Sequence, residues 1–344
     1  MEAVIKSERA PGIKISEIAI PTIGANEVLV KVKAASICGT DLHIYQWNKW
    51  ANRRIKQLPL IMGHELCGEI SKVGDSVSNV RVGDFISAES HIVCNTCDLC
   101  RTSRYHICNQ TKIIGVDING CYAEYIALPA QNIWRNSKDL NIKTAVLMEN
   151  FGNAVHAADT YEVKDKNVLI TGCGAVGCMT AAVCKAAGAK NVFATDLHQY
   201  RLDLAKKMGA DHTIRANGKD LVSIIKKRTN SKGVDVFIDM SGAETAIVSG
   251  FELLKPGGKM IAFGLPSSSI NIDLSNMVVF KGISIKGVVG RRLWESWEKA
   301  SDLIDNKLVD LSSIITHEFS LKDVEKGFEV MTSGKCGKVV FYNE

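Results

Sequence analysis

The sequence predicts a two-domain α/β protein in which an antiparallel, barrel-like domain of about 150 residues is joined to a domain built on a parallel, doubly wound sheet. Three observations carry the prediction. Short strand-like segments punctuated by Gly and Asp fill the first part of the chain, and from Asn167 to about Gly290 apolar strands alternate with helical stretches. The second pattern opens with Val168 to Asp196, VLITGCGAVGCMTAAVCKAAGAKNVFATD, an apolar run, a three-glycine turn, a helix-compatible stretch and a second apolar run ending in an acid.

Taken in order, EVLVKVKAASI (27–37) alternates apolar and polar residues as a strand entering a buried segment does. GEISKVG from Gly68, VGDFISA from Val82 and YAEYIAL from Tyr122 follow as further short strands. From about Ile142 the apolar spacing becomes helical through Ala145, Val146 and Met148, and the segment to Tyr161 leads into the next domain. NVLITG, NVFATD, VDVFIDMSG, KMIAFG and ISIKGVVG then alternate with helical segments, which means βα units. Lys255-Pro256-Gly257-Gly258 ends a helix and turns into the next strand. Two amphipathic stretches, Trp294 to Asn306 and Leu321 to Thr332, precede a terminal strand, KVVFY. The expected arrangement is discontinuous, with residues 1–148 and 297–344 forming the first domain and residues 149–296 the second. There are no internal repeats.

Composition bounds the function. Apolar residues make up 46% of the 344 and charged residues 23%, the balance of a globular chain. A net charge of +5 spread along the chain is not the basic stripe of a nucleic-acid binder. No apolar run is long enough for a membrane span, and MEAVIKSERA has no uninterrupted apolar core of the kind a secretory signal needs. Eleven cysteines, an odd number with several in metal-like spacing, point to a reducing, cytoplasmic setting.

Gly172, Gly174 and Gly177 follow the G-x-G-x-x-G spacing. The first permits a tight turn, the second lets backbone approach a pyrophosphate, and the third lets the helix pack close to its strand, while the helix N-terminus offers free N–H groups to phosphate. Asp196, 24 residues after Gly172, stands where a carboxylate reaches the ribose hydroxyls, so NAD is expected over NADP. A fortuitous glycine set on an α/β turn is the bland alternative.

Cys94, Cys97, Cys100 and Cys108 are spaced C-x2-C-x2-C-x7-C. Four thiolates on one loop suit a closed, structural zinc, with an iron–sulfur cluster or unligated core thiols as rivals. A second group is split between Cys38-Gly39-Thr40-Asp41-Leu42-His43 and Gly63-His64-Glu65. Cys38, His64 and Glu65 offer the S, N and O ligands of a catalytic zinc, which keeps a position open for substrate. Singly, each also reads as a core thiol, a buried histidine or a solvated acid.

With these motifs, CGTDLHIYQWNKWA from Cys38, GHELCGEI from Gly63, ESHIVCNTCDLCRT from Glu89 and ENFGNAVHAA from Glu149, the chain resembles the zinc-containing medium-chain alcohol dehydrogenase superfamily over almost its full length. The IYQWNKWA and GNAVH segments resemble its threonine-oxidising branch. The resemblance implies a GroES-like antiparallel β-barrel catalytic domain and a Rossmann domain. It implies two zincs per subunit, one catalytic on Cys38, His64 and Glu65 and one structural on the four cysteines. It further implies that Glu149 approaches the catalytic metal and that Thr40 and His43 relay a proton. Val176, Asp196 and Arg201 contact NAD, and Phe263, Gly264, Leu265, Val288 and Val289 line its nicotinamide side. The implied reaction is oxidation of L-threonine at its 3-hydroxyl to 2-amino-3-oxobutanoate by a cytoplasmic homotetramer. A polyol or sugar-alcohol dehydrogenase and a non-catalytic NAD-binding protein on the same fold are the alternatives. The family more often has Glu-Pro-Leu-Gly where this chain has Glu149-Asn150-Phe151-Gly152, and Cys173 and Cys178 sit where other small residues are usual.

Overall fold

The computed structural model describes residues 1–216 and 221–343. The backbone packs into two compact units, Met1–Asn150 together with the chain from Ile315 onward, and Phe151–Ile314.

In the first unit the long strand Glu27–Ser36 is the organising element. One edge pairs antiparallel with Glu65–Val73. The other is shared by Tyr125–Pro129 against its first half and Lys338–Tyr342 against its second. Phe85–Ala88, Ile133–Arg135 and Ile315–Ser320 complete a seven-stranded sheet in which the antiparallel pairs dominate and only Ile315–Ser320 runs parallel to its neighbour. Val28, Val30, Val32, Ile70, Ile86, Tyr122, Leu128 and Phe341 close the core, the alternation in Glu27–Ser36 supplying one face of it. The terminal strand is therefore built into the centre of a sheet that starts more than 300 residues earlier.

The second unit holds six parallel strands in the order His212–Arg215, Asn191–Asp196, Asn167–Thr171, Val234–Asp239, Leu254–Ala262, Ser284–Gly287. Helices including Ala175–Ala186, Gln199–Lys207 and Glu244–Leu253 alternate with the strands. The inner strands are almost wholly buried, which is why they read as unbroken apolar runs rather than alternating ones. Leu169, Phe193, Phe237, Phe251 and Met260 form its core. This is the doubly wound order, and its reversal between Asn167–Thr171 and Val234–Asp239 makes a crevice at the carboxyl ends of those two strands.

Helix Glu295–Asp305 lies in this second unit, whereas the sequence places a boundary between residues 296 and 297. Trp297 is fully buried, and Arg292 and Lys299 both meet Asp159, so the helix is anchored on both sides of that position. No described helix is long and apolar enough to cross a membrane.

Candidate active site

Strand register assembles the first cluster. Ser36 lies directly opposite Glu65 in the antiparallel pair, so Cys38, two residues beyond one strand end, and His64, one residue before the other, meet at the same place. The ligand atoms of Cys38, His64 and Glu65 all lie within 4.8 Å of one another. Cys38 also begins helix Gly39–Tyr45, where the Asp41 carboxylate accepts from the Cys38 N–H at 2.9 Å and fixes the turn. Gly63 makes the second approach possible: its φ is +89°, and a Cβ there would stand 2.2 Å from the Tyr122 ring.

Buried partners surround the three residues. The Glu65 carboxylate accepts from Ser36 Oγ, from Lys338 Nζ and, at 2.8 Å, from Asn150 Nδ2. Lys338 also donates to the Ile37 carbonyl at 2.9 Å. Asp41 is fully buried, accepting from Tyr122 Oη at 3.0 Å through one oxygen and facing His64 Nδ1 at 3.5 Å with the other. Burial disfavours charge on both members of this pair, yet the attraction prevails, lowering the Asp41 pKa and raising that of His64 well above its ordinary value. Cys38 adds to the effect on His64. A field that favours a proton at this spot favours a metal cation there as well. Asp41 Oδ1 and His64 Nδ1 have no other hydrogen-bond partner among the described residues, and a ring nitrogen oriented by a carboxylate is the arrangement metal-ligating histidines adopt. The donor set therefore fits zinc.

Glu149 lies outside that trio, buried at the start of helix Met148–Ala158 and accepting from Ser90 Oγ at 2.6 Å. Thr40 Oγ1 is 3.8 Å from Cys38 Sγ. His43, on the exposed side of the same helix, contacts Asn48 and the Trp50 ring.

The four-cysteine loop is equally compact. Sγ separations are 3.9 Å for Cys94 to Cys100, 3.9 Å for Cys97 to Cys108 and 3.5 Å for Cys94 to Cys108. Tetrahedral Zn–S bonds of about 2.3 Å require sulfurs about 3.8 Å apart, and these three separations stand close to that. Backbone and side-chain donors at Thr96, then the Cys97 N–H, lower the Cys94 thiol to about 6. None of the described cysteines forms a disulfide.

In the second unit the three glycines play separate parts. Gly172 has φ +86°, and a Cβ there would meet Ser241 at 2.8 to 2.9 Å. Gly174 precedes helix Ala175–Ala186, with no described atom within 4 Å of its Cβ position, so backbone is open to a ligand. At Gly177 a Cβ would be 2.0 Å from the Gly172 carbonyl oxygen, so the helix rests on the turn. Val176 lies in the first turn of that helix. Asp196 ends its strand with both oxygens engaged, accepting from Cys173 N at 2.8 Å and His198 N at 2.9 Å, and Arg201 is 3.8 Å away. Phe263, Gly264 and Leu265 follow the fifth strand of the sheet and Val288 and Val289 the sixth, at the same carboxyl edge as Gly172. Val288 is buried, while Leu265 and Val289 are exposed.

Sequence reasoning missed the partners that hold these groups. Asp41 carried a signal, since an acid three residues after a helix-starting Cys38 is placed to cap it. Lys338 carried none, being 273 residues from Glu65.

Two family models match the chain, one described as the alcohol dehydrogenase GroES-like domain over residues 24–138 and one as zinc-binding dehydrogenase over residues 175–306. Curated relatives include the L-threonine 3-dehydrogenase of Caldanaerobacter subterraneus subsp. tengcongensis, 47% identical over 343 residues and 99% of both chains. That of Bacillus subtilis is 46% identical over 340 residues, covering 99% of this chain and 98% of the relative. Among solved structures, one described as a short chain alcohol dehydrogenase from Escherichia coli complexed with NADH superposes with a TM-score of 0.91 at 26% identity, over 99% of each chain. A GroES-like domain and a Rossmann domain, two clusters of metal-ligating type and full-length identity to such relatives converge: the chain belongs to the zinc-binding alcohol dehydrogenase family, alongside the L-threonine 3-dehydrogenases.

Proposed function

We propose that this protein oxidises L-threonine at its 3-hydroxyl with NAD, yielding 2-amino-3-oxobutanoate. The observation that carries the reading is the convergence of Cys38, His64 and Glu65 within 4.8 Å through strand register, in a chain whose full-length relatives bear the name L-threonine 3-dehydrogenase. A zinc ion there would act as a Lewis acid that brings loss of the alcohol proton into the neutral range, and the nicotinamide ring would accept the hydride.

The chain's own residues do the rest. Cys38, His64 and Glu65 hold the metal, and Asp41 orients the His64 ring. Glu149, buried and held by Ser90, is the acid that assists exchange at the metal. Thr40 Oγ1, next to Cys38 Sγ, is the first group able to take the departing proton, with His43 further out. The Gly172–Gly177 turn receives the pyrophosphate, and Asp196, which would repel a 2′-phosphate, favours NAD. Phe263 to Leu265 and Val288 to Val289 stand beside the nicotinamide. A second zinc on Cys94, Cys97, Cys100 and Cys108 ties down its loop.

Strand Ser284–Gly287 is exposed along its length at the edge of the parallel sheet, with Val279 and Phe280 exposed before it, which supports a homo-oligomer, here a tetramer. Cysteine usage without a disulfide among the described residues supports a cytoplasmic location.

The test is NADH formation by the purified protein with L-threonine or D-sorbitol, run beside a zinc count per chain. Turnover on L-threonine with two zincs is expected. Turnover on sorbitol alone would refute the substrate while leaving the fold and the zinc chemistry in place.

A further inference from the structure

Asn48 is committed at both ends of its side-chain amide. Its Oδ1 accepts from the backbone N–H groups of Trp50 and Ala51, at 3.0 and 3.1 Å, and so caps helix Lys49–Arg54. Its Nδ2 lies 2.7 Å from His43 Nδ1. An amide nitrogen only donates. The amide cannot flip to offer its oxygen to the ring, because that would turn N–H groups toward two backbone N–H donors. His43 Nδ1 must therefore accept, and the neutral ring carries its proton on Nε2. The Trp50 ring, centred 5.8 Å from that of His43 and tilted 46° to it, limits the imidazole's room to turn.

We infer that Asn48 is a positioning residue that holds His43 in the Nε2–H tautomer, so that His43 presents a fixed N–H donor and takes up a proton only when its contact with Asn48 is broken. A carbonyl-pinned amide is a sign-specific device. It rewards an unprotonated Nδ1 and opposes a protonated one. Partial desolvation of the ring acts in the same direction, lowering the His43 pKa, with no charged neighbour contributing among the described residues. The inference rests on the reading that places His43 beside the reaction. It refines that reading, because a proton leaving through Thr40 cannot stop on the His43 ring while Asn48 stays in place.

Asn48→Asp tests this without removing the cap. Aspartate caps helices as well as asparagine does, so Oδ1 still serves Trp50 and Ala51. The second oxygen now accepts where an N–H donated, which reverses the preference at Nδ1. Asn48→Ser also keeps a cap but does not reach the ring. Hydrogen–deuterium exchange at the C2 position of each histidine, followed by mass spectrometry across a pH series, reads the His43 midpoint in the intact zinc-loaded protein. The midpoint is expected to rise by about one pH unit or more in Asn48→Asp, as beside a new carboxylate, and by less in Asn48→Ser. Thermal unfolding should change little in either variant. A His43 midpoint in Asn48→Asp within about 0.2 units of the parent, well under the effect of a contacting carboxylate, would overturn the inference. The pH profile of turnover separates the two readings. A midpoint that moves while the profile stays fixed upholds the role of Asn48 and removes His43 from the proton's path.

Discussion

Replacing Lys338 by methionine should destabilise the first unit, and more severely without zinc than with it. Lys338 and Glu65 form an ion pair whose side chains are 3% and 0% exposed. Methionine keeps most of the aliphatic stem but leaves the Glu65 carboxylate with only Ser36 and Asn150 as donors, and the Ile37 carbonyl loses its 2.9 Å partner. Removing one member of a buried pair costs about 3–5 kcal/mol, because the surviving charge stays desolvated. For a unit of this size that is a fall in melting temperature of about 6–20 °C. A cation held by Cys38 and His64 would sit against the same carboxylate and compensate the lost ammonium, so the loss should shrink when zinc is present. Adding Glu65→Gln should recover much of the stability of the metal-free variant, since no charge is then left unpaired. Calorimetry of parent, single and double variants, each with zinc and after chelation, measures all four differences. An equal loss with and without zinc would refute the placing of Glu65 at the metal. A metal-free loss below about 1 kcal/mol, ordinary for a point substitution, would refute the cost assigned to the pair.

The glycine turn separates packing from binding: Gly177→Ala forces its Cβ against the Gly172 carbonyl and should cost about 1–3 kcal/mol in denaturant unfolding. Gly174→Ala meets no atom and should fold normally yet lose NADH affinity in a fluorescence titration; undiminished affinity would mean that the pyrophosphate lies elsewhere. Tyr122→Phe keeps the ring packed against Phe341 but withdraws the donor to Asp41, so zinc should leave the Cys38 site about tenfold faster under chelator, with release from the four thiolates unchanged. Burial works against charge on Asp117, but Arg54 and the Ile113 N–H prevail and lower its pKa. A depressed folded-state value contributes stability above the unfolded value of about 4 and loses it as pH falls through the folded one. Asp117→Asn should therefore be less stable than the parent at neutral pH, with the gap closing in acid; a pH-independent gap in urea midpoints would contradict this.

Much of this protein follows from local chemistry. The three glycines lie a few residues apart, so each conformational role, a positive φ, an open backbone and a close helix contact, is written at its own position. The four cysteines lie within fifteen residues of one another, so the fold of one short segment brings three pairs of sulfurs to 3.5–3.9 Å. Buried parallel strands read as apolar runs because helices alternate with them, and Tyr125–Pro129 alternates because one of its faces is covered. The domain edge near residue 297 was not legible, since what places helix Glu295–Asp305 is the burial of Trp297 and the meeting of Arg292 and Lys299 with Asp159, all contacts between segments far apart in sequence.

Sequence alone thus determined the two-domain α/β architecture, the three-glycine turn and which residues make up the two clusters of metal-ligating type, because these depend on residue type, period and short spacing. Tertiary structure decided what holds each ligand and with which atom. Lys338 reaches Glu65 only because the last strand pairs with Glu27–Ser36, and Asp41 has one oxygen free for His64 because Tyr122 and the Cys38 N–H occupy the other. Asn48 faces His43 with its nitrogen because two backbone N–H groups claim its oxygen. Hydrogen-bond direction and the pairing of buried charge belong to three-dimensional neighbours, and no spacing along the chain encodes them.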